Sequence, residues 1–135
     1  MALNVVLRKN EIKSHKHYGK YFAHVLHHQD IKLEDFAQEI QSNCSVKVSD
    51  VKAVLTELQE TMKRHLQDGH VIVLPDIGRL KLSVESEGVS DPKDFNVAQH
   101  IKRVVCRFIA AGKRGGHRNG RIRYSLCDGV KVVRW

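Results

Sequence analysis

Between Ser49 and Leu66 the apolar residues recur at three- and four-residue steps. Val51, Val54, Leu55, Leu58, Met62 and Leu66 therefore share one stripe, the pattern of a long amphipathic helix. Ser49 stands where it can cap the N-terminus, and Asp50 favours the first turn. Lys63, Arg64 and His65 lie near the C-terminus, and Gly69 supplies a left-handed residue to end it. The period then changes. Val71 to Leu74 predicts a short strand and Pro75-Asp76-Ile77-Gly78 a turn. Leu80, Leu82 and Val84 then alternate with Arg79, Lys81 and Ser83 in a second strand. Upstream, Leu33, Phe36, Ala37 and Ile40 mark a short helix over 33–42, and 43–47 breaks the pattern. Two helices joined by a turn raise a helix-turn-helix reading, which would place Ser49, Asp50 and Lys52 against bases. Asp50 would meet phosphates of its own sign, so the pair reads as scaffold.

The ends of the chain follow the two-residue period. Residues 3–9 and 20–28 predict an N-terminal β-hairpin around the polar link Asn10 to Gly19. Residues 85–100 are polar, with Gly88 and Pro92, and predict a connection in the form of an extended arm or flap. Residues 101–109 predict a strand with Val104, Cys106 and Phe108 looking inward and Lys102 at the edge. Arg103 and Arg107 then project together from the outer face. The glycines and cations of 113–123 argue for a flexible loop. Ile122, Tyr124 and Leu126, the Asp128-Gly129 turn and Val130, Val132 and Val133 predict a terminal β-hairpin. No internal repeat is visible.

Composition narrows the class. A chain of 135 residues is enough for one domain with a modest core. No apolar run approaches the ~20 residues of a membrane span, and Arg8, Lys9 and Asn10 interrupt the N-terminal apolar stretch early. The expected location is the cytoplasm. Cys44, Cys106 and Cys127 are odd in number and far apart, which fits reduced thiols packed as small apolar groups. Net charge is +8, unevenly spread. Residues 31–100 carry eight Lys/Arg against twelve Asp/Glu, whereas 101–135 carry ten against one, Asp128. Such a concentration is the footprint of a polyanion partner.

Within that basic end, Arg114, Arg118, Arg121 and Arg123 have the forked guanidinium that grips phosphate, on a loop able to conform. A solvated tail that aids solubility is the plainer alternative. Tyr124 and Trp135 could stack on bases or pack the terminal hairpin. His24 and His28 would make a metal pair only on a helix, and that segment reads as a strand, so no metal is expected. No nucleophile with a base partner, no paired carboxylates at a cleft and no Gly-rich phosphate loop are visible. The expectation is a non-enzymatic protein without a cofactor or small-molecule substrate.

The order of elements resembles the bacterial histone-like HU/IHF family of DNA-bending proteins. Short helix, long helix, tight hairpin and polar arm lead to a basic strand that ends in Phe108, Ala110, Gly112 and Lys113. It is most similar to a longer HU-related branch of Bacteroides-type bacteria. Arg8-Lys9-Asn10, Ser86-Glu87-Gly88-Val89 and the run Ile101, Lys102, Val104, Arg107, Phe108 carry that likeness. The resemblance spans roughly residues 1–113. It implies an α+β fold with an HU-like core of short helix, long helix and three-stranded antiparallel sheet with an arm. To that core are added the N-terminal and C-terminal β-hairpins. One domain is expected over 1–135: an extension at 1–30, the core at 31–112, and a basic loop and hairpin at 113–135. The resemblance further implies an intertwined homodimer whose arms embrace double-stranded DNA through the minor groove.

Carried over by residue, it makes Arg79, Lys81, Lys102, Arg103 and Arg107 phosphate contacts, joined by Lys113. Two departures stand out. The family's arm tip carries a proline that wedges between base pairs, but here Pro92 lies among Asp91, Lys93 and Asp94, and a plain turn competes with intercalation. The helix that follows Gly-Lys in the family is replaced by the Gly/Arg loop. The expected function is sequence-tolerant, architectural binding of DNA in the bacterial nucleoid. The alternatives are a protein-interaction module on the same scaffold, or RNA binding through the Gly/Arg loop.

Overall fold

The computed structural model of the protein describes residues 2–115 and 120–135. In chain order, strands β1 (Ala2–Lys9) and β2 (Tyr21–Val25) precede helices α1 (Leu33–Asn43) and α2 (Val48–Gln67). Strands β3 (Ile72–Leu74) and β4 (Gly78–Ser86), helix α3 (Val97–His100) and strand β5 (Ile101–Ala110) follow. Strands β6 (Gly112–Arg114), β7 (Ile122–Tyr124) and β8 (Lys131–Arg134) complete the chain. The elements divide into two units. One joins Met1–Lys32 to Cys127–Trp135; the other is Leu33–Leu126.

In the larger unit α1 packs on α2. Among the described residues the buried apolar side chains are Ala37 of α1 and Val51 of α2. A Glu34–Lys52 ion pair at 2.7 Å ties the two helices at the surface. Helix α2 starts one residue before Ser49. Lys47 is its N-cap without a side-chain cap, and the Val48 N–H instead donates to the Gln41 side-chain oxygen at 2.7 Å. The expected Ser49 cap is thus replaced by a group from the preceding helix. At the other end Gly69 takes φ +86°. Its N–H reaches the Leu66 carbonyl and the His70 N–H the His65 carbonyl, both at 3.0 Å, which satisfies carbonyls the helix leaves open.

Strands β3, β4 and β5 form an antiparallel sheet in that order. The turn between β3 and β4 closes by the Ile77 N–H to Leu74 carbonyl bond at 3.1 Å, with Asp76 at φ +61°. Pro75 before that left-handed residue suits such a turn. Register puts Leu80 opposite Phe108, Leu82 opposite Cys106 and Val84 opposite Val104. These six residues share one sheet face. Leu82 and Cys106 line a cavity of about 330 Å³ with Met62 and Leu66 of α2, so this is the face the helix covers. Coverage is incomplete. Phe108 is 53% exposed, Val104 60% and, on α2, Val54 66%. Cys44, Cys106 and Cys127 are free thiols and all exposed, so the expected packing of three small apolar groups is not found in the single chain.

Between β4 and β5 the expected arm folds into short turns. The Glu87 N–H bonds the His100 carbonyl at 2.8 Å and closes the segment at its base. A 3₁₀ turn over Pro92–Asp94 is capped by the Asp91 carboxylate, which accepts from the Lys93 N–H at 3.0 Å. The Asn96 side chain caps α3 by accepting from the Gln99 N–H at 3.2 Å. Two Asx residues at helix-start positions explain why a polar stretch is helical here.

In the smaller unit β1 pairs antiparallel with β2, from Val5 opposite Val25 to Lys9 opposite Tyr21. On its other edge β1 pairs in parallel with β8, from Ala2 opposite Lys131 to Val5 opposite Arg134. The predicted C-terminal hairpin is therefore corrected. Strand β7 pairs with β6 instead, and a 3₁₀ turn at Ser125–Cys127 with Gly129 at φ +72° leads the chain away to β1. The Asp128-Gly129 step does bend the backbone, as its chemistry dictates. It does not choose the partner. The three residues of β7 are satisfied along β6, whereas the eight-residue β1 has a second edge of backbone groups that β8 fills.

Candidate nucleic-acid interface

The sheet face opposite α2 carries the cations. Along β4, Arg79, Lys81, Ser83 and Glu85 alternate with the apolar set. Opposite them on β5 stand Ile109, Arg107, Val105 and Arg103. Lys81 faces Arg107 directly, and Arg79 is the next same-face position along β4. Like charges directly opposite across a sheet cost stability, of order 0.2–1 kcal/mol. An anion lying across the strands removes that cost.

Arg103 has a partner of its own. Its guanidinium grips the Glu85 carboxylate in a two-pronged contact, Nε to Oε2 at 2.7 Å and Nη2 to Oε1 at 2.9 Å. The Arg103 hydrogen bond holds the Glu85 carboxyl below the usual carboxylate range; desolvation opposes this and the Arg107 charge adds to it. The same bond raises the Arg103 pKa. This pair lies at the solvent surface, where ion pairs are weak and exchangeable. A phosphate brought to Arg103 would have to compete with Glu85 for the same fork. The partner was legible in principle, because Glu85 continues the two-residue period of Arg79, Lys81 and Ser83. Only the register shows that Arg103 stands opposite.

The other sequence candidates are distributed differently. Lys102 falls at a register shift, between Arg103 opposite Glu85 and Ile101 opposite Ser86, and is offset from the cationic row. Lys113 and Arg123 face each other across β6 and β7, another like-charged pair. Arg114, opposite Ile122, belongs to the other face of that ribbon. It lines a cavity of about 400 Å³ together with Arg79, Val73 and Ile109. Arg79 thus joins the sheet row to the β6–β7 ribbon. Arg121 is exposed just before β7, and Arg118 lies outside the described residues. Pro92 is exposed at the first position of its 3₁₀ turn, beside the capping Asp91.

A two-helix base against one face of a three-stranded antiparallel sheet, with cations on the other face, defines an α+β module of HU-like architecture. The family comparison agrees. The model for an HU domain fused to a winged helix-turn-helix, an immunoglobulin-like or a glycine-rich motif matches residues 1–114, and the chain belongs to that family. Among solved structures the chain is similar to a candidate bacterial DNA-binding protein from Bacteroides vulgatus ATCC 8482. The TM-score is 0.61 at 11% identity, over 98% of this chain and 47% of that one. This chain thus spans about half the length of that protein. None of the curated proteins matches it. Among the described residues, no helix is long and apolar enough to cross a membrane.

Proposed function

We propose that the protein binds double-stranded DNA through its phosphates, with little regard to sequence, as an architectural protein of the bacterial nucleoid. One observation carries the reading: Lys81 and Arg107 face each other on the sheet surface turned from α2, with Arg79 beside them. A row of fixed cations that repel one another is an anion site waiting for its counter-charge. Membership of an HU family and the likeness to a candidate DNA-binding protein both favour the same polyanion.

The working unit of the proposal is a homodimer. Val54, Leu58, Val104 and Phe108 are exposed in the single chain, an apolar surface of the kind that second copies cover. Covering a side chain such as Phe108 contributes about 1.5–3 kcal/mol. Two protomers would then present two cationic rows to one duplex. The energy comes mainly from release of counterions condensed on the DNA.

Fluorescence anisotropy on unrelated duplexes tests the reading. If about six phosphates are met, affinity falls of order a thousandfold between 50 and 200 mM salt, similarly for all sequences. A flat salt response, or no duplex binding at low salt, points instead to an acidic protein partner.

A further inference from the structure

The smaller unit carries charge that the duplex reading does not use. Met1–Lys32 with Cys127–Trp135 holds eight Lys/Arg against three Asp/Glu, a net +5 of the chain's +8. The larger unit, more than twice as long, holds the remaining +3. Within the small unit the excess is concentrated further. From Arg8 to Lys20 there are five Lys/Arg and one acid, Glu11.

Two of these cations, Arg8 and Lys9, line a cavity. Arg8 stands directly opposite Phe22 across β1 and β2, and Val6 opposite His24, so Arg8, Phe22 and His24 share one face of the ribbon. With Asn10, Ile12 and His15 they line a cavity of about 500 Å³, within the range of small-ligand sites. Phe22 is 43% exposed, and its ring and that of His17 stand at 69° to each other with centroids 6.0 Å apart.

The loop that closes the cavity is built, not loose. The Asn10 N–H bonds the Lys20 carbonyl at 2.8 Å, and the Gly19 N–H returns to the Asn10 carbonyl at 2.9 Å. The Asn10 side-chain oxygen accepts from the Ile12 N–H at 3.0 Å, and its amide nitrogen lies 3.2 Å from His15 Nδ1. His15 Nδ1 also accepts from the His17 N–H at 3.2 Å. With Nδ1 an acceptor, the neutral ring carries its proton on Nε2 and keeps one donor for a ligand.

We infer that this cavity takes one unpaired nucleotide of a single strand, its base against Phe22 and its phosphate between Arg8 and the imidazoles. An aromatic face flanked by guanidinium and imidazole donors is the chemistry that holds an unstacked base and its backbone. A base inside a duplex is stacked on both sides and offers no face to Phe22. The site therefore discriminates unpaired from paired strands, and it does not depend on the duplex proposal.

The test is anisotropy of fluorescein-labelled oligothymidine with the full chain and two sets of variants. Phe22→Leu keeps apolar bulk without a ring face, and Arg8→Gln removes the charge. Each is expected to weaken oligothymidine binding about five- to a hundredfold, the range of one stacked base, and to leave duplex binding within twofold. Phe22→Tyr restores the ring and the binding, and separates loss of the site from loss of the fold. The pair Lys81→Gln with Arg107→Gln is expected to weaken oligothymidine binding less than either Phe22→Leu or Arg8→Gln does. An abasic deoxyribose-phosphate oligomer of the same length should bind far more weakly than oligothymidine. The inference is overturned if Phe22→Leu and Arg8→Gln bind oligothymidine as the parent does. It is overturned equally if the abasic strand binds as well as oligothymidine, or if the Lys81 and Arg107 changes abolish binding to the single strand.

Discussion

The two faces of the β3–β4–β5 sheet are made by alternate residues of the same strands, and they differ in chemistry. One carries Leu80, Leu82 and Val84 against Phe108, Cys106 and Val104 and receives α2. The other carries Arg79, Lys81 and Glu85 against Ile109, Arg107 and Arg103 and meets solvent. A two-residue period lets two strands serve assembly and ligand at once, because a side chain on one face cannot reach the other. It also means that changes one residue apart should give unrelated phenotypes.

The largest effect is expected on the apolar face. Phe108→Glu would place an unpaired carboxylate where a second protomer is proposed to pack. Burying it costs several kcal/mol, so the dimer dissociation constant should rise at least a hundredfold by sedimentation velocity. A variant that sediments as the parent does would detach that face from assembly. Gly78→Ala acts where β4 meets β5 and should trouble both faces together. Its Cβ would stand 2.5 Å from both the Ile109 carbonyl oxygen and the Phe108 ring. Overpacking of this kind costs about 1–3 kcal/mol, visible as a lowered Tm.

A smaller and opposite effect is expected from Glu85→Gln. It frees the Arg103 fork and removes the one carboxylate paired in the cationic row. Duplex affinity should rise a few-fold, and the salt dependence should steepen by about one phosphate contact. Unchanged affinity would show that Arg103 lies off the DNA path. Acidification should act the same way and least of all. Glu85 has a lowered folded-state pKa, so its contribution to stability is present above the ordinary carboxylate range and is lost as pH falls through the lowered value. The shallow loss of stability at low pH should be smaller in Glu85→Gln, as a pH series of thermal melts would show.

What the sequence made legible follows from how local each cause is. The α2 stripe, the Gly69 stop, the β3–β4 turn and the placing of Arg79, Lys81 and Arg107 away from the apolar set rest on spacing alone. The start of α2 was misplaced because its first N–H is met by Gln41, seven residues back in another helix. The segment 85–100 read as an arm because its helical turns depend on Asp91 and Asn96 as caps, not on apolar period. The terminal hairpin failed because turn chemistry bends a chain without naming the edge it meets. That failure also moved charge: Lys131 and Arg134, counted with the basic end, belong to β8 on β1. The Arg8–Phe22–His24 cavity has no linear signature, since strand register and the Asn10 loop bonds assemble it.

The central claim is that the cations turned away from α2 touch duplex phosphates. The slope of log affinity against log salt tests it most directly, measured for the parent and for Lys81→Gln with Arg107→Gln. The account predicts a shallower slope in the variant, by about two units for each protomer engaged, with the loss equal on unrelated sequences. An identical slope in both proteins would contradict it.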